Sequence, residues 1–494
     1  MRHLRASSVV QLSCENEVIN KPSYQGYPSR ISLKNGIGLV CLLLLASYFV
    51  SVTLNPMYKM RGLDSAVQEP LSQLNASVKP PSLNFMDGKN VVLVSHELSL
   101  SGGPLLLMEL GSILRRSGAH VFWVTGNKKE TTSDPTVVSL EKKLLNHGLQ
   151  IMPARGMRTV TALTSSDLVI LNTAVAGKWI DAILKGEVKK VLAKTLWWIH
   201  EMRGHYFSME YVRHLPEVAG VMIDSHATAE YWRTRTRDRL RFALGVSLDT
   251  TRIIMPKIHV VHLGNSQQLM LAAEDAVGRA LMRQRVRRMF EIRDTDVVFS
   301  MINSVSRGKG QDLFLRSFVE GVNMVNKINM VQQTVFTVHA LLVGSDWAAP
   351  SYESTLRRFV KENDLERTVH FVNKSLDVVP YLAASDVLVQ NAQGRGECFG
   401  RITIEAMAFQ LPILGTAAGG TLEIVVNGST GRLHPVGKEG VHLLAQNIRD
   451  LTFDKSLRVK MGMRGYARVK QKFMEHHMCE RLGPVLQTVL TQTA

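Results

Sequence analysis

The chain has 494 residues, 45% of them hydrophobic and 20% charged, which excludes a disordered composition and supplies more core than one domain usually holds. A net charge of +17 favours partners carrying negative charge: phosphate groups, anionic lipid headgroups or nucleic acid. Four cysteines, Cys14, Cys41, Cys398 and Cys479, with no C-x-x-C pair, exclude a disulfide scaffold and give no sign of a cysteine-based zinc site.

Residues 1–35 are polar and read as a cytosolic tail. Residues 36–54, GIGLVCLLLLASYFVSVTL, carry no charge and as a helix span roughly 28 Å, enough to cross a bilayer core of about 30 Å. Arg2, Arg5, Lys21, Arg30 and Lys34 precede this segment against Glu15 and Glu17, a modest bias toward a cytosolic N-terminus and a lumenal body. The apolar run starts too late and is too long for an ordinary cleaved signal, and Glu15 and Glu17 count against an organellar transit peptide. Residues 55–88, with Pro56, Pro70, Pro80 and Pro81, read as a poorly ordered stem. Asn75-Ala-Ser is the favoured glycosylation triplet, ahead of Asn373-Lys-Ser and Asn427-Gly-Ser.

From residue 89 short apolar runs alternate with helical patterns. VVLVSH (91–96), the helix-patterned PLLLMELGSILRRSG (104–118) and HVFWVTG (120–126) form a β-α-β unit, and strand-like runs follow at 167–172, 191–200, 220–225 and 258–262. Residues 89–265 are therefore expected to form one doubly wound parallel sheet, followed by a helical connector at 266–292. A second series at 296–303, 338–344, 368–373, 386–391 and 412–415 predicts another such domain over 293–455, with helices at 456–494. Two α/β domains in tandem imply a cleft, with ligands at the carboxyl ends of the strands. The basic run RQRVRR (283–288) reads as a solvated helix face before any groove reader or anionic-membrane contact, so no nucleic-acid partner is expected.

The chemistry concentrates in NAQGRGECFGRITIEAMAFQLPILGTAAGGTLEIVVNGSTG, residues 391–431. A strand ends at Asn391, a glycine-rich loop follows, and a helix begins near Gly400, where free backbone N–H groups and the positive dipole end suit a phosphate. Glu397 faces that helix end, and Glu405 can accept hydrogen bonds from a pair of sugar hydroxyls. Gly419 and Gly420, followed by Thr421, make a second tight turn at which backbone could approach a ligand. Cys398 reads as a packed residue, since no adjacent base would activate it.

This block resembles the donor-site signature of the retaining GT-B enzymes of glycosyltransferase family 4: two Glu separated by seven residues, an A-M-A helix, Leu-Pro, Gly-Gly and a further Glu. The likeness covers about 400 residues, including Gly102-Gly103 after the first strand, SHATAEYW from 225 and LVGSD from 342. The resemblance implies a GT-B fold and transfer, with retention, of a sugar from a nucleotide-diphosphate donor, UDP-linked ahead of GDP or ADP. It implies that Glu397 contacts the transferred sugar, Glu405 holds the ribose hydroxyls, and the Phe399-Gly400 backbone sits by the diphosphate.

The family's Gly-Arg then Lys-Gly pattern appears as N-S-V-S-R-G-K-G (303–310): Lys309-Gly310 match, Ser304 stands at the usual Arg position, and Arg307 is left to compensate from within the loop. His200, at a strand end with Glu201, Arg203 and His205 nearby, matches the family's active-site His, while His226 and His262 are site-lining at most. Asp294-Thr-Asp296 could suggest the metal motif of the other large glycosyltransferase fold, but it precedes its strand and reads as a polar turn, so no metal or other cofactor is expected. In the transition state Lys309, Arg307 and the Gly400 helix end would stabilise the leaving diphosphate, Glu397 would position the sugar, and His200 would orient donor or acceptor. The acceptor, glycan, protein or lipid, stays open. The anchored chain is expected in the Golgi membrane with a lumenal catalytic body, with a cytosol-facing or organellar membrane enzyme as the alternative location and an inactive membrane-tethered nucleotide-sugar-binding protein as the alternative function.

Overall fold

The structure, a computed structural model, describes residues 79–126, 139–185, 189–202, 204–244, 256–333, 336–345, 350–375 and 377–492. The tail, the apolar segment 36–54 and Asn75 lie outside the described residues. Among the described residues no helix is long and apolar enough to cross a membrane.

The first half is a seven-stranded, wholly parallel sheet of β1 (Asn90–Ser95), β2 (His120–Thr125), β3 (Gln150–Pro153), β4 (Leu168–Asn172), β5 (Thr195–Ile199), β6 (Gly220–Ile223) and β7 (Ile258–Val260), in the order β3-β2-β1-β4-β5-β6-β7. The second is a six-stranded parallel sheet of β8 (Val297–Ile302), β9 (Val338–Ser345), β10 (Val369–Asn373), β11 (Val387–Gln390), β12 (Ile413–Thr416) and β13 (Gly431–His434), in the order β10-β9-β8-β11-β12-β13. Strands β4, β5, β6, β8, β9, β11 and β12 are buried along their whole length, because helices cover both faces. Strand order reverses between β1 and β4 and again between β8 and β11, and the loops leaving these strands carry the site.

Three differences from the sequence reading have local causes. Within the expected stem, Pro81–Met86 form a 3-10 turn whose Leu83 and Met86 are fully buried against the C-terminal helix, so this stretch belongs to the folded body. Within 191–200 the strand occupies only Thr195–Ile199; Lys189–Lys194 form a 3-10 turn. The basic run is not simply a solvated face: Arg287 is 1% exposed and donates to the carbonyls of Ala384, Arg293 and Asp296, and with Arg283 it pairs with Asp386 at the start of β11. Asp296 accepts from the Arg293 backbone and guanidinium, the polar turn expected of that position.

The C-terminal helices Lys455–Lys472 and Glu475–Gln492 tie the second half back to the first. The Asn265 N–H donates to Phe473 O at 2.8 Å, the Glu475 N–H to Asn265 O at 3.0 Å, and Arg116 pairs with Glu475 at 2.8 Å. Gly264 is required there, since a Cβ would stand 2.3 Å from Met474 O.

Candidate active site

On the first half the carboxyl ends of β1, β4, β5 and β6 deliver His96, Asn172, His200 and Asp224. His200 Nδ1 lies 2.7 Å from Asp224 Oδ2 and Nε2 lies 2.9 Å from Asn172 Oδ1, while the second Asp224 oxygen accepts from Trp198 Nε1 at 2.7 Å. Burial alone would lower the His200 pKa, but the Asp224 carboxylate outweighs it and holds the imidazole above its ordinary value. With acceptors at both nitrogens, the imidazolium donates twice.

Glu201 points the other way. Its carboxylate accepts the backbone N–H groups of Ala174 and His200, and burial leads the shift that raises its pKa despite those donors. Thr173, between Asn172 and Ala174, has φ +71° and ψ 159°, a region costing about 1–3 kcal/mol for a residue with a Cβ. That conformation turns Thr173 Oγ1 to within 3.2 Å of His96 Nδ1.

His96, Thr173, His200 and Glu201 surround a cavity of about 250 Å³ together with Glu97 and Gly102-Gly103. The helix α1 (Gly102–Arg116) starts at its wall. A Cβ on Gly103 would meet Thr173 Cγ2 at 2.9 Å, whereas one on Gly102 would meet nothing within 4 Å. Gly103 is thus needed for packing, and Gly102 is the open position. Asn172 Nδ2 is buried without a protein partner beside Gly103.

On the second half, Lys309 leaves a 3-10 turn (Arg307–Lys309) after β8 and pairs with Glu397 in the loop after β11. Gly310, φ +75°, makes this approach possible, because a Cβ would stand 2.3 Å from Asn391 O. Arg307 is exposed, with its guanidinium 5.1 Å from the Tyr352 ring centre, so it lies over that ring while Lys309 holds Glu397. Gly400, φ +95°, opens the helix α2 (Arg401–Ala408). The Phe399 side chain is buried, stacked on His262 at 5.6 Å, which leaves its backbone at the helix mouth.

The second glycine turn packs against the Glu397 loop. A Cβ on Gly419 would lie 2.3 Å from Glu397 O, and one on Gly420 2.5 Å from Phe399 Cα. The pair therefore lets the Glu397 loop lie against its neighbour, sealed by Gly420 N–H to Glu397 O at 2.8 Å. Thr421 is fully buried with its methyl under Gly415.

Glu405 is 7% exposed, its Oε1 2.7 Å from Arg401 Nε, and Arg401 Nη1 lies 2.6 Å from Glu109 Oε1 on α1. Burial raises the Glu109 pKa, with Arg401 opposing it. This three-residue bridge joins the halves. So does Glu423, in the short helix Thr421–Ile424: it accepts N–H groups from His226 and Ala227 and lies 2.7 Å from His262 Nε2. Burial would raise the Glu423 pKa, but these donors hold it below the usual carboxylate range.

Cys398 links the two walls. Its carbonyl accepts from Ser225 and Thr228, and its thiol, pushed far up by burial, lies within electrostatic reach of Glu397 and Lys309 on one side and of Asp224 and Glu201 on the other. A thiol held protonated in this way is a poor nucleophile. The side chain of His205 and all of Arg203 lie outside the described residues. Sequence reasoning did not single out Asp224, Asn172, Glu109 or Arg401. The signal for Asp224 and Asn172 was their place as polar residues closing apolar strands; for Glu109 and Arg401 no local pattern marks the pairing.

Two doubly wound parallel sheets in tandem, with a C-terminal helix returning to the first half, make up the GT-B architecture. In agreement, residues 87–278 match the family described as "Glycosyl-transferase family 4" and residues 282–468 match "Glycosyl transferases group 1", so the chain carries two glycosyltransferase domains in tandem. It is 30% identical over 189 residues to the mouse alpha-1,3/1,6-mannosyltransferase ALG2 (37% of this chain, 44% of that one) and 27% over 170 residues to the Staphylococcus aureus capsular polysaccharide biosynthesis glycosyltransferase CapM (34% and 43%). The matches thus span less than half the length of these relatives. The fold is similar to that of Anabaena Alr3699/HepE in complex with UDP and glucose, with TM-score 0.61, 17% identity, and coverage of 81% of this chain and 99% of that one.

Proposed function

We propose that this protein is a nucleotide-sugar-dependent glycosyltransferase that moves a sugar, with retention, from a UDP-linked donor to a hydroxyl-bearing acceptor. The observation that carries this reading is the Lys309–Glu397 pair at the mouth of α2, facing a wall on which Asp224 holds His200 as a double donor. Without donor, Lys309 and Glu397 neutralise each other. An arriving diphosphate competes for Lys309 and for the N–H groups at Gly400, which releases Glu397 to accept hydrogen bonds from the sugar. As the anomeric bond breaks, negative charge grows on the departing phosphate, where Lys309 and the helix end stabilise it. His200 keeps Nδ1 on Asp224 and exchanges its Nε2–H bond to Asn172 for one to a sugar or acceptor hydroxyl, and the donor step needs no metal in this scheme. Lys309 carries the basic role expected of the loop, and Arg307, held over Tyr352, has a lesser one.

The name of the HepE complex, with UDP and glucose, supports UDP as the first donor nucleotide to test. Residues 71–494, one compact unit, would be offered a panel of nucleotide sugars and nucleotide release measured. Release from one donor, lost on Lys309→Ala, is expected. Tight nucleotide-sugar binding without release or transfer would instead support a binding protein that has lost the chemistry. We place the enzyme in the Golgi membrane with its body lumenal, a reading that rests on the segment 36–54 and its flanking charges.

A further inference from the structure

Beside the Lys309 and His200 groups, three side chains from three chain segments converge. His226 follows β6, His262 lies just beyond β7, and Glu423 belongs to the second half; one ligand atom from each lies within 4.8 Å of the other two. The two imidazoles stand edge-on, centroids 5.6 Å apart and planes at 82°, so neither ring covers the other. Glu423 is already oriented by the N–H groups of His226 at 3.1 Å and Ala227 at 2.9 Å. The stacked Phe399 ring steadies His262 from behind.

We propose that His226, His262 and Glu423 bind one zinc ion, with water completing the coordination, and that the ion staples the two halves of the molecule together. Two imidazoles and a carboxylate are a ligand set suited to zinc, and fixed backbone donors behind the carboxylate are what an ordered site requires. Bonds of about 2.0–2.2 Å place ligand atoms roughly 3–3.5 Å apart, so the 2.7 Å His262–Glu423 contact widens by less than about 1 Å. His226 is exposed and can turn inward without giving up core packing. Because two ligands come from the first half and one from the second, the ion binds only while the halves hold this arrangement, and binding favours that arrangement by mass action.

The test uses the full-length chain, free of any histidine tag and stripped with chelator. Titration with Co²⁺ is expected to give one equivalent with the intense visible absorption of a four-coordinate ion, displaced by Zn²⁺, and Zn²⁺ is expected to raise the Tm. His226→Ala should weaken zinc by more than about tenfold and remove the absorption, with His262→Ala and Glu423→Gln behaving alike. The exposed position of His226 keeps its variant folded, as circular dichroism would verify. Unchanged stoichiometry and affinity in His226→Ala, or a wild-type Co²⁺ spectrum of the weak, fully hydrated kind, would overturn the proposal. Neither readout depends on sugar transfer, so failure here leaves the proposed activity standing, and the reverse.

Discussion

Lys309 and Glu397, 88 residues apart in sequence, close an ion pair at the mouth of α2 with side chains only 22% and 16% exposed. A largely covered pair of this kind is costly to break from one side only. Lys309→Ala is expected to lower kcat by about 10²–10³ with a smaller change in KM, as for loss of one charge-stabilising donor. Glu397→Gln should also lower kcat, and the double variant should lose less than the product of the two single effects. Additive losses, read from steady-state rates on the donor that the panel identifies, would separate the two residues functionally.

His200 supplies a pH signature. Its folded pKa is raised above the unfolded value, so its contribution to stability is fully present below about 6.5 and fades as pH rises through the folded value. Thermal unfolding between pH 6 and 9 should therefore show a downward slope that Asp224→Asn flattens. The same variant should reduce kcat, since an amide at that position no longer holds the doubly donating imidazolium. A wild-type Tm independent of pH across this window would remove the charge assignment.

Gly102 and Gly420 separate binding from folding. Gly102→Ala adds a methyl to open space, so the Tm should stay within about 1 °C of wild type while donor or acceptor KM rises. Gly420→Ala drives a methyl to 2.5 Å from Phe399 Cα and must displace the Glu397 loop, so both Tm and kcat should fall. Similar Tm values for the two variants would contradict this division.

The central strands were legible because burial on both faces makes them continuous apolar runs, as in VVFSMI of β8 and LVILN of β4. The edge strands β3 (QIMP) and β13 (GRLH) were not, since each is short and half solvated and carries too few β-branched residues to stand out. The glycine-rich loop between β11 and α2 was readable as a local motif. What the sequence did not disclose is pairing across the halves: Arg401 with Glu109, Asp224 behind His200, and Glu423 with His226 and His262 join residues tens to hundreds of positions apart.

The Glu109–Arg401–Glu405 bridge predicts that Arg401→Leu leaves two carboxylates facing each other. With Glu109 one-third exposed, the expected loss is about 1–3 kcal/mol, below the 3–5 kcal/mol of a fully buried pair, measured by urea unfolding. Glu405→Ala should instead raise the KM for donor by about tenfold while changing kcat less, because the ribose hydroxyls lose their acceptor. If Glu405→Ala left KM unchanged and only lowered stability, Glu405 would be a structural partner of Arg401 alone.

The location of the chemistry gives the last prediction. The apolar segment 36–54 is preceded by Arg2, Arg5, Lys21, Arg30 and Lys34 against two acidic residues, which favours leaving the N-terminus in the cytosol and carrying the catalytic body across the membrane. Asn75 then lies 21 residues beyond the end of the segment, and the folded body starts by Pro81, whose turn buries Leu83 and Met86. A lumenal body exposes Asn75-Ala-Ser to the glycosylation machinery, so the chain expressed in cells should shift in size on treatment with an N-glycan-removing enzyme, and Asn75→Gln should abolish that shift. The body should also resist protease added to sealed vesicles until detergent is present. Degradation of the body in intact vesicles, with no glycan on Asn75, would place the active site on the cytosolic face, where the donor chemistry of Lys309, Glu397 and His200 would stand unchanged but the acceptor would have to be presented from the cytosol.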